Sequence, residues 1–114
     1  RAREEGEVRV FNRTVTVFRA PLLGFSPRER ASRAEVTVRE LLQASGPGEV
    51  SAKEIPQGHA ILIDGKLAFL LTPPDADALR SESPAQAAGH AVGALKRLTA
   101  GRFRTNRSES KIQA

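Results

Sequence analysis

The chain has 114 residues and a formal net charge of +5, and it contains no cysteine, methionine, tryptophan or tyrosine. This length fits one domain with one hydrophobic core, and the lack of cysteine excludes disulfides, thiolate catalysis and zinc–thiolate sites. No apolar run approaches the roughly 20 residues of a membrane-spanning helix, and no signal-peptide pattern is present. The missing methionine indicates a processed or excised piece of a longer protein.

Alternating valines predict a first β-hairpin near the N-terminus. A two-residue turn at Asn12-Arg13 pairs Val10 with Val15. Val8 then pairs with Val17, so that all four valines lie on one face of the hairpin.

The sequence from Ser26 to Glu29 predicts the start of a first helix. Ser26 takes the N-cap, Pro27 the first helical position and Glu29 the third, which is a capping box. We expect the helix to extend to about residue 44 or 45, where a Gly-Pro-Gly sequence stops it. We also expect the preceding loop, residues 21–25, to tuck its apolar side chains under the helix. The predicted inward stripe is Ala31, Ala34, Val38, Leu41 and either Leu42 or Ser45, with Arg30 among the residues facing water.

A stronger hairpin signal is Asp64-Gly65, which separates two apolar runs. A type I′ turn needs positive φ at both central residues, and Asp-Gly tolerates this. Both faces of the resulting hairpin are apolar, so we expect one face to be covered and the other to stay half-exposed. Ile61, Ile63 and Leu70 lie on the half-exposed face, and we predict that they form the contact surface for a partner or a neighbouring subunit.

A second capping box consists of Ser83, Pro84 and Gln86, with glutamine in place of glutamate. We expect the helix that begins there to run to about Ala100 and to end at Gly101. The basic polar tail beyond it is expected to be disordered or to form an induced helix. The predicted inward stripe is Ala88, Ala91 or Val92, Leu95 and Leu98.

Together these elements predict an α+β fold in the order ββα-β-ββα. A short strand over residues 49–55 precedes the second hairpin, and we expect both hairpins in one antiparallel sheet that carries both helices. Residues 10–21 align without gaps on residues 62–73, which a structural repeat would explain, although a hairpin followed by a capped helix also recurs by chance. The predicted organisation is a polar lead-in at 1–6, one domain at 7–101 and a basic tail or linker at 102–114.

No constellation of residues indicates catalysis, a metal or a cofactor. His59 and His90 lack a third ligand at a suitable spacing. Asp75-Ala76-Asp77 lacks the further oxygen ligands of a calcium loop, and we interpret it as a turn whose side chains bond their own backbone. Gly89 and Gly93 form a small-x-x-x-small pattern, which we attribute to close packing within the domain rather than to a homo-oligomer contact.

Four short segments carry a resemblance to a known family. They are Val17–Ala20, Gly24–Ala34, Asp64–Phe69, and Thr72–Asp77 followed by an alanine-rich helix. In their order, they resemble the soluble N-terminal extracytoplasmic domain of some bacterial proteins of the small-conductance mechanosensitive ion channel family. The similarity covers about residues 7–100.

The resemblance implies a non-catalytic sensory or assembly domain at the periplasmic face of the bacterial inner membrane. Its implied partners are the membrane-embedded part of its own chain and identical subunits of a channel, whose gating or assembly it would modulate. No small-molecule ligand or nucleic acid is favoured. The alternative, suggested by charge alone, is a basic cytoplasmic module that binds nucleic acid with a steep salt dependence. A small enzyme is a third possibility without candidate catalytic residues.

Overall fold

A computed structural model describes residues 5–44, 46–77 and 80–113. It confirms the α+β class and the order ββα-β-ββα. The elements are β1 (Gly6–Val10), β2 (Arg13–Phe18), α1 (Pro27–Gln43), β3 (Val50–Ile55), β4 (Gly58–Ile63), β5 (Lys66–Leu71), a 3₁₀ turn (Pro73–Asp75) and α2 (Pro84–Gln113).

The described strands form two antiparallel sheets rather than the single sheet that the sequence predicts. β1 pairs with β2, and β4 lies between β3 and β5. At β5, the guanidinium of Arg30 donates a hydrogen bond to the carbonyl oxygen of Leu70 at 3.0 Å, and it also donates to the carbonyl oxygen of Ala20, just after β2. An arginine side chain, rather than strand pairing, therefore links the two sheets at this point.

The first hairpin turns one residue earlier than the sequence predicts. Phe11 and Asn12 occupy the turn with φ of +53° and +65°, so Val10 pairs with Arg13 rather than with Val15. A β-bulge then skips Val15 in the register. The predicted pairing is wrong because strict two-residue alternation makes no allowance for a bulge. The buried residues of this hairpin are Val8, Val10, Val15 and Phe18.

The turn of the second hairpin is the predicted one. Asp64 and Gly65 have φ of +53° and +78°. The carboxylate of Asp64 also accepts hydrogen bonds from the backbone N–H groups of Gly48 and Glu49 at 3.0 and 2.8 Å. Asp64 therefore shapes its own turn and also holds the loop that leads into β3.

A bulge at Ala68 decides which side chains of the second hairpin enter the core. Because of it, Ile61 pairs with Phe69 rather than with Ala68. Ile61 and Ile63 are both 0% exposed, so the prediction that they form a contact surface is wrong. Both faces of the hairpin are apolar in sequence, and the pattern alone assigned the wrong one to the outside. The more exposed side includes Leu67, which is 51% exposed.

The two hairpins share both turn geometry and bulge position. In each, two residues with positive φ form the turn. The bulged residue is the third after the turn, since Val15 follows Asn12 and Ala68 follows Gly65 in the same way. This correspondence supports a structural repeat, with the two halves aligned one residue away from the gap-free sequence match.

Both predicted capping boxes are confirmed. The N–H of Ser26 donates to Oε1 of Glu29 at 2.8 Å, and the N–H of Glu29 donates to Oγ of Ser26 at 3.2 Å. Ser83 and Gln86 exchange the equivalent bonds at 2.8 and 3.1 Å. Pro27 and Pro84 are the first residues of α1 and α2.

The inward faces of the helices include the predicted stripes, but Arg30 of α1 and Ala87, Ala94 and Thr99 of α2 are buried as well. Arg30 is buried, although the sequence pattern predicts that it faces water. It follows Pro27 and precedes Ala34 by one helical turn each, so it belongs to the buried stripe by position. The buried members of the two stripes are Ala31, Ala34, Val38 and Leu42 in α1, and Ala88, Ala91, Leu95 and Leu98 in α2.

The second helix does not end at Gly101, and this prediction is wrong. α2 continues to Gln113. A single glycine costs a helix only about 1 kcal/mol relative to alanine, and no proline follows to stop it. Within the described residues, no helix has the length and apolar character required to cross a membrane.

Candidate functional site

A buried ion pair joins the two halves of the domain. Arg30 of α1 binds Asp75 of the 3₁₀ turn through two hydrogen bonds, Nη1–Oδ1 and Nη2–Oδ2, both 2.9 Å long. The two side chains are only 6% and 0% exposed. The guanidinium also lies 4.1 Å from the ring centre of Phe18, a cation–π distance.

Both carboxylate oxygens of Asp75 accept several hydrogen bonds. Oδ1 accepts backbone N–H bonds from Arg19 at 2.9 Å and Ala20 at 3.2 Å, and Oδ2 accepts bonds from the N–H and hydroxyl of Thr72, both at 2.9 Å. Burial raises the pKa of Asp75, but the hydrogen bonds from Arg30, Thr72 and Arg19, with the charge of Arg30, outweigh burial and lower the pKa. This pair is a structural anchor, since neither group is accessible to a ligand.

The loop before α1 forms a third tight turn, which was not predicted from the sequence. Leu22 and Phe25 exchange two backbone hydrogen bonds, at 3.0 and 2.9 Å. The two residues between them have positive φ, +54° at Leu23 and +83° at Gly24. Glycine suits this conformation, whereas leucine is strained in it.

The side chain of Leu23 projects into solvent. It is 83% exposed, and Phe25 is 37% exposed. The prediction that this loop tucks its apolar side chains under α1 is therefore wrong for Leu23. A large apolar side chain is held at the tip of a tight turn, in a backbone conformation that disfavours it.

Behind the turn lies a groove of about 260 Å³ with a largely apolar set of lining residues. They include Leu22, Phe25 and Leu70, together with Phe18 and Phe69, whose rings meet edge to face at 5.7 Å. Arg30, Arg33 and Thr37 line it as well. We call the four residues Leu22, Leu23, Phe25 and Leu70 the turn surface. Leu70 is thus the one residue of the predicted contact surface that borders an open groove.

One end of the groove carries positive charge. The guanidinium of Arg33 lies 4.5 Å from the ring centre of Phe25, and Arg33 and Phe25 also line an adjoining hollow with Arg28 and Glu29. Among the described residues, no carboxylate lies within ion-pair distance of Arg33. One carboxylate oxygen of Glu29, Oε1, accepts the N–H of Ser26 in the capping box of α1.

A polar cleft of about 370 Å³ lies between β2 and the start of α2. Its charges largely pair with one another. Asp77 lies 3.5 Å from Arg19 and 3.6 Å from Arg80, and Glu82 lies 2.6 Å from Nδ1 of His90. This internal pairing leaves little charge to attract a ligand, so the cleft is a weaker candidate site than the turn surface.

The remaining residues singled out from sequence do not form a site. His90 bonds Glu82 at the edge of that cleft, and in the part of the chain that the structure describes no three His, Asp or Glu side chains could share a metal ion. Gly89 is exposed, and a Cβ added to it would meet no atom within 4 Å. The prediction that Gly89 serves close packing within the domain is therefore wrong.

Two features were not predicted from the sequence: the ion pair of Arg30 with Asp75, and the turn at Leu23-Gly24. The sequence nevertheless contains a signal for each. Arg30 occupies an inward position of α1, and Thr72 followed three residues later by Asp75 is a capping pattern. Gly24 sits between Leu23 and Phe25, and a glycine within an apolar run often marks a turn. These signals locate a basic residue on an apolar stripe and a glycine in an apolar run, but they identify neither the partner of Arg30 nor the exposure of Leu23.

A comparison with protein families identifies a family for this chain. The family model described as a domain of unknown function (DUF8459) matches residues 7–100. Because the match covers most of the chain, the chain belongs to this family. Comparisons with curated proteins and with solved structures give no match.

Proposed function

We propose that this DUF8459 domain is a non-catalytic interaction domain that docks through the turn surface. The observation that carries the proposal is the conformation of Leu23, which combines a φ of +54° with 83% exposure. Strained residues of this kind cluster at functional sites, because elsewhere a less strained residue would serve the fold better.

Stability gives no reason for leucine at this position. Asparagine or glycine would fit the left-handed conformation of a two-residue turn, and a side chain this exposed contributes little to the core. The same turn places Phe25 and Leu22 beside Leu70 around an open groove. An exposed apolar tip next to an apolar groove is typical of a protein-binding surface.

The resemblance to the extracytoplasmic domain of mechanosensitive channel proteins supplies a setting for this role. In that setting the domain is periplasmic, and the turn surface contacts the membrane-embedded part of the same protein or a neighbouring subunit. The domain then acts on gating or assembly through contact alone. This setting rests on the resemblance and stays a prediction.

Hydroxyl-radical footprinting tests the docking role even while the partner is unidentified. Leu23 should be oxidised rapidly in the isolated chain and slowly in the natural full-length protein in its own cell membranes or extract. Val36 and Leu67, which are 52% and 51% exposed, are the matched controls and should be oxidised equally in both. Equal oxidation of Leu23 in the two settings would refute the proposal.

A further inference from the structure

We propose that the occupant of the turn surface is an amphipathic peptide segment that seats an apolar side chain in the groove and a carboxylate against Arg33. This inference rests on the proposed function, because it names the partner of the same surface. It makes two separate claims, one about the groove and one about its charged end.

The shape of the groove suits the insertion of one large apolar side chain better than contact with a flat partner surface. Its volume is about 260 Å³, and most of its lining residues are aromatic or aliphatic, with Arg30, Arg33 and Thr37 as the polar members. Leu23 stands at its mouth and can cover an inserted side chain. Anchoring by one or two apolar side chains in a groove is a common mode of peptide recognition.

The charge at the end of the groove favours an acidic segment. Arg33 is exposed and lies over the face of Phe25 at 4.5 Å, a cation–π contact that favours its placement beside the groove. The neighbouring acid, Glu29, accepts the N–H of Ser26 at 2.8 Å. A carboxylate brought by a partner would meet a pre-positioned guanidinium, which is a geometry that arginine suits well.

The same charge argues against a second copy of this chain as the occupant. A symmetric dimer places each surface against its own image, so each copy would bring Arg33, and not the complementary carboxylate, to the surface of the other. The chain also carries a net charge of +5, which adds long-range repulsion between copies.

Selection from a display library of short random peptides on the immobilised chain tests both claims. We expect the enriched peptides to combine Leu, Ile or Phe with Asp or Glu. The most enriched peptide, labelled with a fluorophore, should lose at least about tenfold in affinity with Leu23→Asn, as expected for an apolar anchor. It should lose about threefold with Arg33→Gln, as expected for a partly exposed charge pair.

Two control variants make the result specific. Arg39→Gln removes an exposed arginine elsewhere on α1 and should leave the affinity unchanged. Arg33→Lys keeps the charge and should retain more affinity than Arg33→Gln. Leu23→Asn should fold at least as well as the original chain, so its loss of binding is not a loss of folding.

The outcomes separate this inference from the function on which it rests. Peptides that depend on Leu23 but carry no acidic bias, or that bind Arg33→Gln as well as the original chain, would overturn the acidic partner and leave the docking surface intact. Peptides that bind Leu23→Asn as tightly as the original chain, or a selection without enrichment, would overturn both the acidic partner and the docking surface. A dimer in sedimentation that Leu23→Asn dissociates would identify a second copy as the occupant and overturn the peptide.

Discussion

Leu23→Asn should stabilise the isolated domain while it removes the proposed docking function. A left-handed conformation costs an ordinary L-residue about 1–2 kcal/mol, and asparagine followed by glycine is a preferred pair for a two-residue turn. Leu23 is 83% exposed, so its truncation removes less than a fifth of a side-chain burial worth about 1.5–3 kcal/mol in full. The expected net gain is about 1 kcal/mol.

Thermal and urea denaturation followed by circular dichroism measure this gain, since the chain has no tryptophan or tyrosine for fluorescence. For a domain of this size, a gain of about 1 kcal/mol corresponds to a rise in Tm of roughly 4–8 °C. Leu67→Asn is the matched control, because Leu67 is 51% exposed but lies within β5. It should be neutral or destabilising, as asparagine is disfavoured in strands. A Leu23→Asn domain that is less stable than the original would refute the strain argument.

Three further predictions concern the anchor and the glycines. Arg30→Met should lower the free energy of unfolding by about 3–5 kcal/mol because it leaves a buried carboxylate uncompensated. Asp75→Ala should lower it further, since backbone N–H groups also lose their acceptor. An Asp75→Ala domain as stable as the original would contradict the structural role of the ion pair. Because the pKa of Asp75 is lowered in the folded state, its contribution is present above about pH 4 and is lost as pH falls through the folded pKa. Urea titrations at several pH values should therefore show a fall in unfolding free energy toward acid that is shallower in Asp75→Asn, and equal slopes would contradict the account. Gly89→Ala should gain about 1 kcal/mol, whereas Gly65→Ala, at a φ of +78°, should lose a similar amount; a destabilised Gly89→Ala domain would show that this glycine makes a close contact after all.

The elements of the fold follow from local sequence chemistry. Ser26 and Ser83 predict the starts of both helices through capping patterns that depend on residues three positions apart. Asp64-Gly65 predicts a turn because few other pairs tolerate two positive φ angles. These signals depend on neighbouring residues in the sequence, so the predictions do not require knowledge of the tertiary packing.

The arrangement of side chains between elements could not be read in the same way. Strand alternation assigns faces only if no residue is skipped, and the bulges at Val15 and Ala68 break that condition. In the second hairpin both faces are apolar, so the pattern could not tell that Ile61 and Ile63 are inside. A bulge and a choice between two apolar faces depend on tertiary packing, not on local preference.

The anchor and the turn surface illustrate two further limits. Arg30 and Asp75 are 45 residues apart in sequence, and an arginine on a helix is expected in water unless its partner is known. Leu23 at positive φ runs against local preference. Departures from local rules are expected at functional sites, and this one underlies the proposed function.

The measurement that tests the docking role most directly is site-specific photo-crosslinking in the natural full-length protein. A photoreactive amino acid at position 23 should give one discrete crosslinked product, whose partner peptide mass spectrometry can identify. The same amino acid at position 36, on the exposed side of α1, should give none. If position 23 yields no product, or no more than position 36, Leu23 is not at an interface and the proposed function is wrong.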